Sequence, residues 1–266
     1  MIKGSAFAKI NLALVVGPVR PDGLHEVATI IQRVDLSDTV SLERAKALAV
    51  EGFAGDTLVR SALEKIAADC GIAPCWRARI DKRIPVAAGL GGGSSDAATA
   101  IRLACELLDR PPARERVHEI AAGLGVDVAF FLDPAPKLAT GTGTTLQPVD
   151  LPQDYTVLLL LPHGEAKNST AEVYSRFDGQ AGFDQRRALV VEIAAAGEAA
   201  DLAALPPNDL ARSPHSPRLR ELGAFRAEVS GAGPAVYGLF HEREVAERAA
   251  AEVQSLGRTW LATPAW

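Results

Sequence analysis

The most informative stretch of this sequence is Ile84-Pro-Val-Ala-Ala-Gly-Leu-Gly-Gly-Gly-Ser-Ser-Asp96. Four glycines occupy the five positions 89–93, two serines follow, and an alanine-rich apolar stretch begins at Ala97. Glycine lets a backbone approach a ligand closely and adopt positive φ. A helix N-terminus offers unpaired N–H groups and a partial positive charge. A glycine loop followed by a helix that starts at the serines therefore predicts a binding site for the phosphates of a nucleoside triphosphate.

This loop fits neither of two familiar phosphate-binding patterns. A Walker A loop ends in Gly-Lys-Ser/Thr, whereas Gly93 is followed by Ser94 and no lysine. A dinucleotide fingerprint has glycines at relative positions one, three and six, and the sixth position from Gly89 is again Ser94. A flexible linker is the alternative, but linkers have polar flanks and this loop is flanked by Ile84, Val86 and an apolar helix.

The composition predicts a soluble, cytoplasmic protein whose partner is a small molecule. A chain of 266 residues can form one large or two modest domains, and 48% hydrophobic residues can fill a core. The net charge of −5 and the 5% aromatic content disfavour nucleic acid as a partner, because they provide neither a basic stripe nor stacking surfaces. The N-terminal residues lack the apolar core of a signal peptide, and the longest apolar run, residues 157–161, is too short to cross a bilayer. We therefore expect no membrane partner.

The cysteine pattern also predicts a cytoplasmic protein. Cys70, Cys75 and Cys105 are odd in number and form no CxxC pair. They are expected to be reduced thiols, and a zinc site is disfavoured.

The order of predicted elements indicates an α+β protein rather than a doubly wound α/β protein. Strands are expected at residues 6–16, 27–31, 40–42, 76–80, 155–161, 225–229, 235–240 and 259–262, with a hairpin at 137–149. Helices are expected to begin at Asp56 and just after the glycine loop, and to cover residues 113–123, 169–177, 186–196 and 242–256. Pro148 and Pro152 bound a short segment that we predict to be a hinge. It divides the chain into predicted domains of residues 1–149 and 150–266.

Three polar positions in apolar surroundings are candidates for chemistry. Lys9 and Asn11 alternate onto one face of the first predicted strand, where they require partners or a polar cavity. The pair is either a cation beside a substrate or phosphate, or part of a solvent-facing strand surface. Asp127 lies between a glycine and an apolar run, so it is either a helix cap or a catalytic base.

Two further segments have two interpretations each. His25 follows a turn and either contacts a polar substrate or is simply solvated. The segment Ser230-Gly-Ala-Gly-Pro-Ala235 is either a plain turn or a turn that presents backbone N–H groups to a substrate.

Three segments together resemble the motifs of the GHMP kinases (galactokinase, homoserine, mevalonate and phosphomevalonate kinases). They are residues 8–12, 85–95 and 230–236. Four more segments resemble the members of this superfamily that act on a cytidine-diphosphate-linked methylerythritol in the non-mevalonate isoprenoid pathway. They are residues 20–26, 125–131, 169–174 and Asn208-Asp-Leu210. The resemblance covers residues 6–240, nearly the whole chain.

The resemblance implies a two-domain GHMP kinase fold. Residues 1–149 would form a domain like ribosomal protein S5 domain 2, with the phosphate loop and the catalytic residues. Residues 150–266 would form a ferredoxin-like domain with the substrate cleft. It also implies ATP-dependent phosphorylation of the substrate's 2-hydroxyl group, with Mg²⁺.

The resemblance also implies roles for individual residues. Asp127 would orient or deprotonate the hydroxyl, and Lys9 would keep Asp127 ionised and offset developing charge. The residues expected to surround the ATP phosphates are Pro85, Val86, Ala87, Ala88, Gly89, Leu90, Gly91, Gly92, Gly93, Ser94 and Ser95. The residues expected to contact the substrate are Asn11, His25, Thr170, Tyr174, Gly231 and Gly233.

The chain departs from the pattern where the cytosine would bind. Leu24 and Ile31 stand where the family has aromatic residues, and Tyr174 retains one stacking face. Another small-molecule GHMP kinase and a catalytically silent nucleotide sensor are the alternative functions. Metal ligands are not predicted, apart from Ser95 by analogy, and a monomer or weak homodimer is expected.

Overall fold

The computed structural model describes residues 1–53, 58–164, 170–177, 179, 181–196 and 199–265, and for residues 170, 171, 196, 199 and 200 it describes the backbone alone. The strands are β1 (Ile2–Val19), β2 (His25–Arg44), β3 (Ala49–Glu51), β4 (Trp76–Asp81), β5 (Lys137–Gly141), β6 (Thr145–Pro148), β7 (Thr156–Pro162), β8 (Arg226–Val229), β9 (Val236–Phe240) and β10 (Gly257–Ala262). The α-helices are α1 (Leu58–Asp69), α2 (Gly92–Leu107), α3 (Arg114–Ala122), α4 (Val126–Leu132), α5 (Thr170–Ser175), α6 (Phe183–Ala196), α7 (His215–Glu221) and α8 (Arg243–Val253). Short 3₁₀ helices cover Ala199–Ala204 and Gln254–Leu256.

The chain divides into two compact units, each of which is discontinuous in sequence. Unit 1 comprises Met1–Ala8, Leu36–Val86 and Gly91–Pro134. Unit 2 comprises Lys9–Asp35, Ala87–Leu90 and Ala135–Trp266. Strands β1 and β2 each contribute residues to both units, and so does the glycine loop. The predicted boundary between residues 149 and 150 stays a prediction.

Unit 1 combines a small sheet with helices α1 to α4. Residues 39–44 of β2 pair antiparallel with β4, and β3 pairs parallel with β4. Strand β4 alternates buried and exposed residues, as expected for a strand with one covered face. Helix α2 packs against α1 and α4, and α3 packs against α4. The apolar face that α1 buries consists of Val59, Ala62, Leu63, Ile66 and Ala67.

Unit 2 contains an antiparallel sheet with the order β10-β7-β9-β8. Helix α8 covers this sheet through Ala246, Ala249 and Val253, which share a hydrophobic cluster with Leu158 and Leu160 of β7. Residues 27–31 of β2 pair with β5, and β5 pairs with β6 in the predicted hairpin. The predicted α+β class is therefore confirmed.

Several predicted boundaries differ from the structure. The strands predicted at residues 27–31 and 40–42 are one strand, β2. Two polar residues between them, Gln32 and Asp38, are fully buried and have partners: Gln32 Nε2 donates to the Arg33 carbonyl over 2.8 Å and to Gln153 Oε1 over 3.4 Å, and Asp38 accepts two backbone N–H groups. Because tertiary partners satisfy these side chains, the strand continues through a stretch without apolar alternation.

Other helices and strands begin at different residues than predicted or have no counterpart in the prediction. Helix α2 begins at Gly92 rather than at the serines, because Gly91 takes a left-handed conformation with φ of 70° and starts the helical turn. Strand β3 and helices α4 and α7 were not predicted, since each is too short to display a hydrophobic period. The predicted helix starts at Asp56 and Ser169 lie outside the described residues. Within the described ranges, no helix is both long and apolar enough to span a bilayer.

Leu63→Ala is expected to lower the free energy of unfolding by about 2–5 kcal/mol, because it leaves a cavity in a fully buried part of unit 1. Urea denaturation measures the effect. Lys65→Ala is the matched control on the exposed face of the same helix and should have little effect. Equal losses for the two variants would contradict the assigned packing of α1.

Candidate active site

The first part of the candidate site is the N-terminus of α2 in unit 1. Gly91 is the N-cap residue, and no described side chain caps the helix there. The Ser95 N–H closes the first turn on the Gly91 carbonyl over 2.9 Å. The preceding N–H groups of a first helical turn have no partner within the helix, so this end of α2 can receive an anion.

A lysine that the sequence analysis did not identify lies at this helix start. Lys82 Nζ donates to Asp38 Oδ2 over 2.5 Å and to Asp96 Oδ2 over 2.7 Å. Both carboxylates are fully buried, and a Cβ added to Gly92 would lie 3.2 Å from Lys82 Nζ. Burial alone would lower the pKa of Lys82, but the hydrogen bonds and charges of the two aspartates outweigh it and raise the pKa. A Walker A lysine follows the glycines, whereas Lys82 lies two residues before Ile84, on the other side of the loop.

Asp38 also fixes the backbone that enters the glycine loop. Its Oδ1 accepts the N–H groups of Arg83 over 2.5 Å and of Ile84 over 2.8 Å, while Oδ2 binds Lys82. One buried carboxylate therefore holds both the lysine and the start of the loop.

The middle of the glycine loop lies in unit 2, against the turn at residues 230–235. Gly89 has φ of +84°, and a Cβ there would lie 2.4 Å from the Ser230 carbonyl oxygen. Ser230 Oγ donates to the Gly89 carbonyl over 3.0 Å, and the Ala235 N–H donates to the Ala88 carbonyl over 2.9 Å. The two glycine-rich segments contact each other through their backbones, so the plain-turn interpretation of residues 230–235 is incomplete.

Lys9 and Asn11 lie together in unit 2, as their spacing predicted. Their side chains are only 5% and 6% exposed, so the solvent-facing interpretation is wrong. Lys9 Nζ donates to Asn11 Oδ1 over 2.5 Å, and Asn11 Nδ2 donates to Thr29 Oγ1 over 2.9 Å. A Cβ on Gly231, whose φ is +58°, would lie 3.1 Å from Asn11 Oδ1 and 3.4 Å from Lys9 Nζ. Gly231 therefore leaves open the space beside a buried cation.

The other glycine of that turn, Gly233, has φ of +74°, a conformation that L side chains rarely adopt. Its Cβ would lie 3.0 Å from Val229 Cγ1, whereas Gly231 borders Lys9 and Asn11. Of the two predicted substrate contacts in the turn, Gly231 is thus the one beside the polar pair.

Asp127 lies in unit 1 as the second residue of α4 and is half-buried. The N-cap of α4 is Gly125, whose carbonyl accepts the N–H groups of Val128 and Ala129. Asp127 therefore does not occupy the cap position. A carboxylate in the first turn of a helix interacts favourably with the helix dipole.

His25 and Tyr174 lie side by side in unit 2, with ring centroids 5.7 Å apart. Phe177, which the sequence analysis did not select, contacts His25 edge-on with centroids 5.6 Å apart. His25 Nδ1 lies 2.9 Å from the Gly17 carbonyl. Because a carbonyl oxygen only accepts, this contact requires a proton on Nδ1, and in that tautomer Nε2 is an acceptor. The spacing of three residues between Tyr174 and Phe177 is a sequence feature that could have drawn attention to Phe177, but the sequence does not show its contact with His25.

The remaining predicted substrate positions differ in exposure. Leu24 is 54% exposed beside His25, and Ile31 is buried at 2%. Thr170 begins α5, and its side chain lies outside the part that the structure describes. Among the described residues, no group of three or more His, Cys, Asp or Glu side chains is arranged to hold a metal ion.

Gly89→Ala is expected to lower the free energy of unfolding by at least about 1 kcal/mol, since it places a side chain at positive φ and against the Ser230 carbonyl. Thermal unfolding without nucleotide measures the change. Gly93→Ala is the control: Gly93 is helical, and the nearest atom to its Cβ is Leu58 Cδ1 at 3.8 Å. If Gly89→Ala unfolds like Gly93→Ala, the described approach of Gly89 to the turn is wrong.

Comparisons with known proteins agree on one family. Residues 57–133 match the family model of the GHMP kinases N terminal domain, and residues 218–259 match that of the GHMP kinases C terminal domain. The 4-diphosphocytidyl-2-C-methyl-D-erythritol kinase of Salinibacter ruber is 36% identical, and the match covers 91% of each chain. A crystal structure of 4-(cytidine 5'-diphospho)-2C-methyl-D-erythritol kinase superimposes with a TM-score of 0.79 at 29% identity, covering 100% of both chains.

A mevalonate kinase structure superimposes with a TM-score of 0.77, covering 100% of this chain and 99% of the other. At 12% identity it shows the shared fold alone. The predicted two-domain GHMP kinase fold is confirmed. The chain belongs to the GHMP kinases, and within them to the 4-diphosphocytidyl-2-C-methyl-D-erythritol kinase family.

Proposed function

We propose that this protein phosphorylates the 2-hydroxyl group of 4-diphosphocytidyl-2-C-methyl-D-erythritol with ATP, in the non-mevalonate route to isoprenoid precursors. The observation that carries the proposal is the buried Lys9–Asn11 pair beside Gly231, in a chain of this kinase family. A lysine that is 5% exposed beside a side-chain-free position is suited to an anionic or polar ligand, because its positive charge attracts negative charge more strongly away from water.

Asp127 and Lys9 are the proposed catalytic pair. The Asp127 carboxylate accepts the proton of the substrate hydroxyl while the hydroxyl oxygen bonds to the γ-phosphorus, and ADP leaves with the electrons of the broken P–O bond. Lys9 supplies positive charge that keeps Asp127 ionised and offsets the charge on the transferring group. Asn11 orients the Lys9 ammonium through its 2.5 Å hydrogen bond.

The uncapped N-terminus of α2 fits a phosphate group, because its first-turn N–H groups face no capping side chain in the described residues. We propose that residues 85–95 hold the ATP phosphates, and ATP supplies the phosphoryl group when bound. Mg²⁺ typically takes only one or two protein ligands together with phosphates and water. A single oxygen donor therefore fits it, and the buried hydroxyl of Ser95 in the first turns of α2 is our candidate.

His25, Tyr174 and Leu24 are the proposed contacts of the cytosine. His25 Nε2 can accept a hydrogen bond from the exocyclic amine, because the Gly17 carbonyl holds the proton on Nδ1. Tyr174 provides one aromatic face, and the exposed Leu24 provides apolar contact without stacking. Asn11, Thr170, Gly231 and Gly233 complete the proposed substrate set.

The two alternative functions have less support. The mevalonate kinase neighbour shares the fold at 12% identity, whereas the Salinibacter ruber relative is 36% identical. A silent nucleotide sensor would not need a buried lysine, an acidic residue in the α4 turn and a glycine loop together.

Asp127→Asn is expected to retain ATP binding and to lower kcat by about 10²–10⁴-fold, because it removes the proton acceptor and leaves the shape of the side chain. Calorimetry with ATP and a coupled ADP-release assay measure the two properties. Asp81→Asn is the control, since Asp81 is an exposed aspartate of the same unit. Undiminished turnover by Asp127→Asn would refute the base role.

The ADP-release assay with wild-type protein should show turnover with the cytidyl substrate and none with mevalonate, homoserine or galactose. Tyr174→Ala is expected to raise KM for the cytidyl substrate, since loss of base stacking costs about 1–3 kcal/mol. Tyr174→Phe keeps the ring and should retain the wild-type KM. Turnover with another alcohol would agree with the proposed phosphoryl-transfer mechanism but would contradict the proposed substrate.

A further inference from the structure

The Asn208-Asp-Leu210 segment resembles its family but has no role in the reaction as proposed above. Asn208 is 3% exposed, and both ends of its side-chain amide bind partners inside unit 2. Nδ2 donates to the Val229 carbonyl over 2.9 Å and to the Gly231 carbonyl over 2.6 Å. Oδ1 accepts the Leu210 N–H over 2.8 Å. Because an amide nitrogen has only two hydrogens, Asn208 has no donor left for a ligand.

The two carbonyls that Asn208 binds flank Ser230. Ser230 is fully buried, and its Oγ accepts the Asn11 N–H over 3.3 Å and donates to the Gly89 carbonyl over 3.0 Å. The next residue, Gly231, is the one whose absent Cβ leaves space beside Lys9 and Asn11. By holding residues 229 and 231, Asn208 sets where this space lies.

The neighbouring Asp209 holds the strand that carries Lys9. Its N–H donates to the Leu14 carbonyl over 2.9 Å, and its Oδ2 accepts the Val16 N–H over 2.8 Å. Its other carboxylate oxygen pairs with Arg186. Adjacent residues thus bind the glycine turn and the β1 strand, which are the two sides of the Lys9–Asn11 environment.

We infer that Asn208 is a positioning residue for phosphoryl transfer: it holds the Ser230–Gly231 turn at the distance from Lys9 and Asn11 that the reacting groups require. The inference rests on the proposed function for its kinetic consequence. Both N–H groups of the Asn208 amide bind backbone carbonyls, so Asn208 would act on the reacting groups through Gly231. Misplacement of a positioned group by about 1 Å can cost on the order of 100-fold in rate.

The test is Asn208→Asp, which keeps the size of the side chain and the acceptor for Leu210 but turns an oxygen toward the two carbonyls. We expect kcat to fall by about ten- to a hundredfold while the variant remains folded at the assay temperature. Gln153→Glu is the matched control. It is also an amide-to-acid change in unit 2, and it removes two donated hydrogen bonds, to Leu151 and Gln32. We expect it to lower the melting temperature and to leave kcat near that of the wild type.

A double-mutant cycle tests the route of the effect. If Asn208 acts through the turn, the losses in kcat of Asn208→Asp and Gly231→Ala should be strongly non-additive. Additive losses, or a wild-type kcat with only a lower melting temperature, would overturn the positioning role. Should Asn208→Asp fail to fold, Asn208→Ser replaces it, because a short hydroxyl cannot reach both carbonyls.

Hydrogen–deuterium exchange separates this inference from the proposed function, because it needs no substrate. In Asn208→Asp, amides of residues 229–235 should exchange faster than in wild type, and in Gln153→Glu they should not. Unchanged exchange at residues 229–235 would overturn the inference even if the wild type is the proposed kinase. Faster exchange together with a wild type that turns over no cytidyl substrate would retain the positioning of the turn and overturn the proposed function.

Discussion

The buried ammonium group of Lys9 is the constraint on which unit 2 depends. A lysine that is 5% exposed requires polar partners, since an unpaired charge in an apolar interior costs several kcal/mol. Asn11 supplies the first partner, Thr29 holds Asn11, and the Thr29 hydroxyl donates to the Ala13 carbonyl over 2.6 Å. Lys9, Asn11 and Thr29 therefore form a connected polar network on β1 and β2, and this network fixes the direction of the lysine.

Close backbone contact is the second constraint. Gly89 and the residue 230–235 turn approach so closely that a Cβ at Gly89 would overlap the Ser230 carbonyl oxygen. Glycine satisfies two requirements at once in this place: positive φ and the absence of a side chain. The same two requirements hold at Gly231, where the omitted side chain leaves space beside Lys9 and Asn11. Gly89 thus marks a place where two backbone segments lie close together, and Gly231 marks a place where backbone lies close to a buried cation.

Unit 1 contains a second group of buried charges, which are arranged as ion pairs. Its two fully buried carboxylates, Asp38 and Asp96, share one ammonium group, Lys82, and Asp38 receives two backbone N–H groups as well. Removing one of these three charged side chains is costly because it would leave an unpaired buried charge. This arrangement ties the strand before the glycine loop to the helix after it, so the conformation of the loop is held from both ends.

Sequence alone was sufficient for the features that depend on local pattern. The glycine run and the apolar stretch after it predicted the loop and α2, strand alternation placed Lys9 and Asn11 on one face, and the motif order predicted the family. Contacts distant in sequence were not predictable: the partnership of Lys82 with Asp38, the use of Asn208 by the Ser230 turn, the edge-on contact of Phe177 with His25, and the continuation of β2 through its polar residues. The physical reason is that periodicity and glycine content act over neighbouring residues. The partner that satisfies a buried charge or amide is chosen by tertiary packing, which brings together residues that the chain keeps far apart.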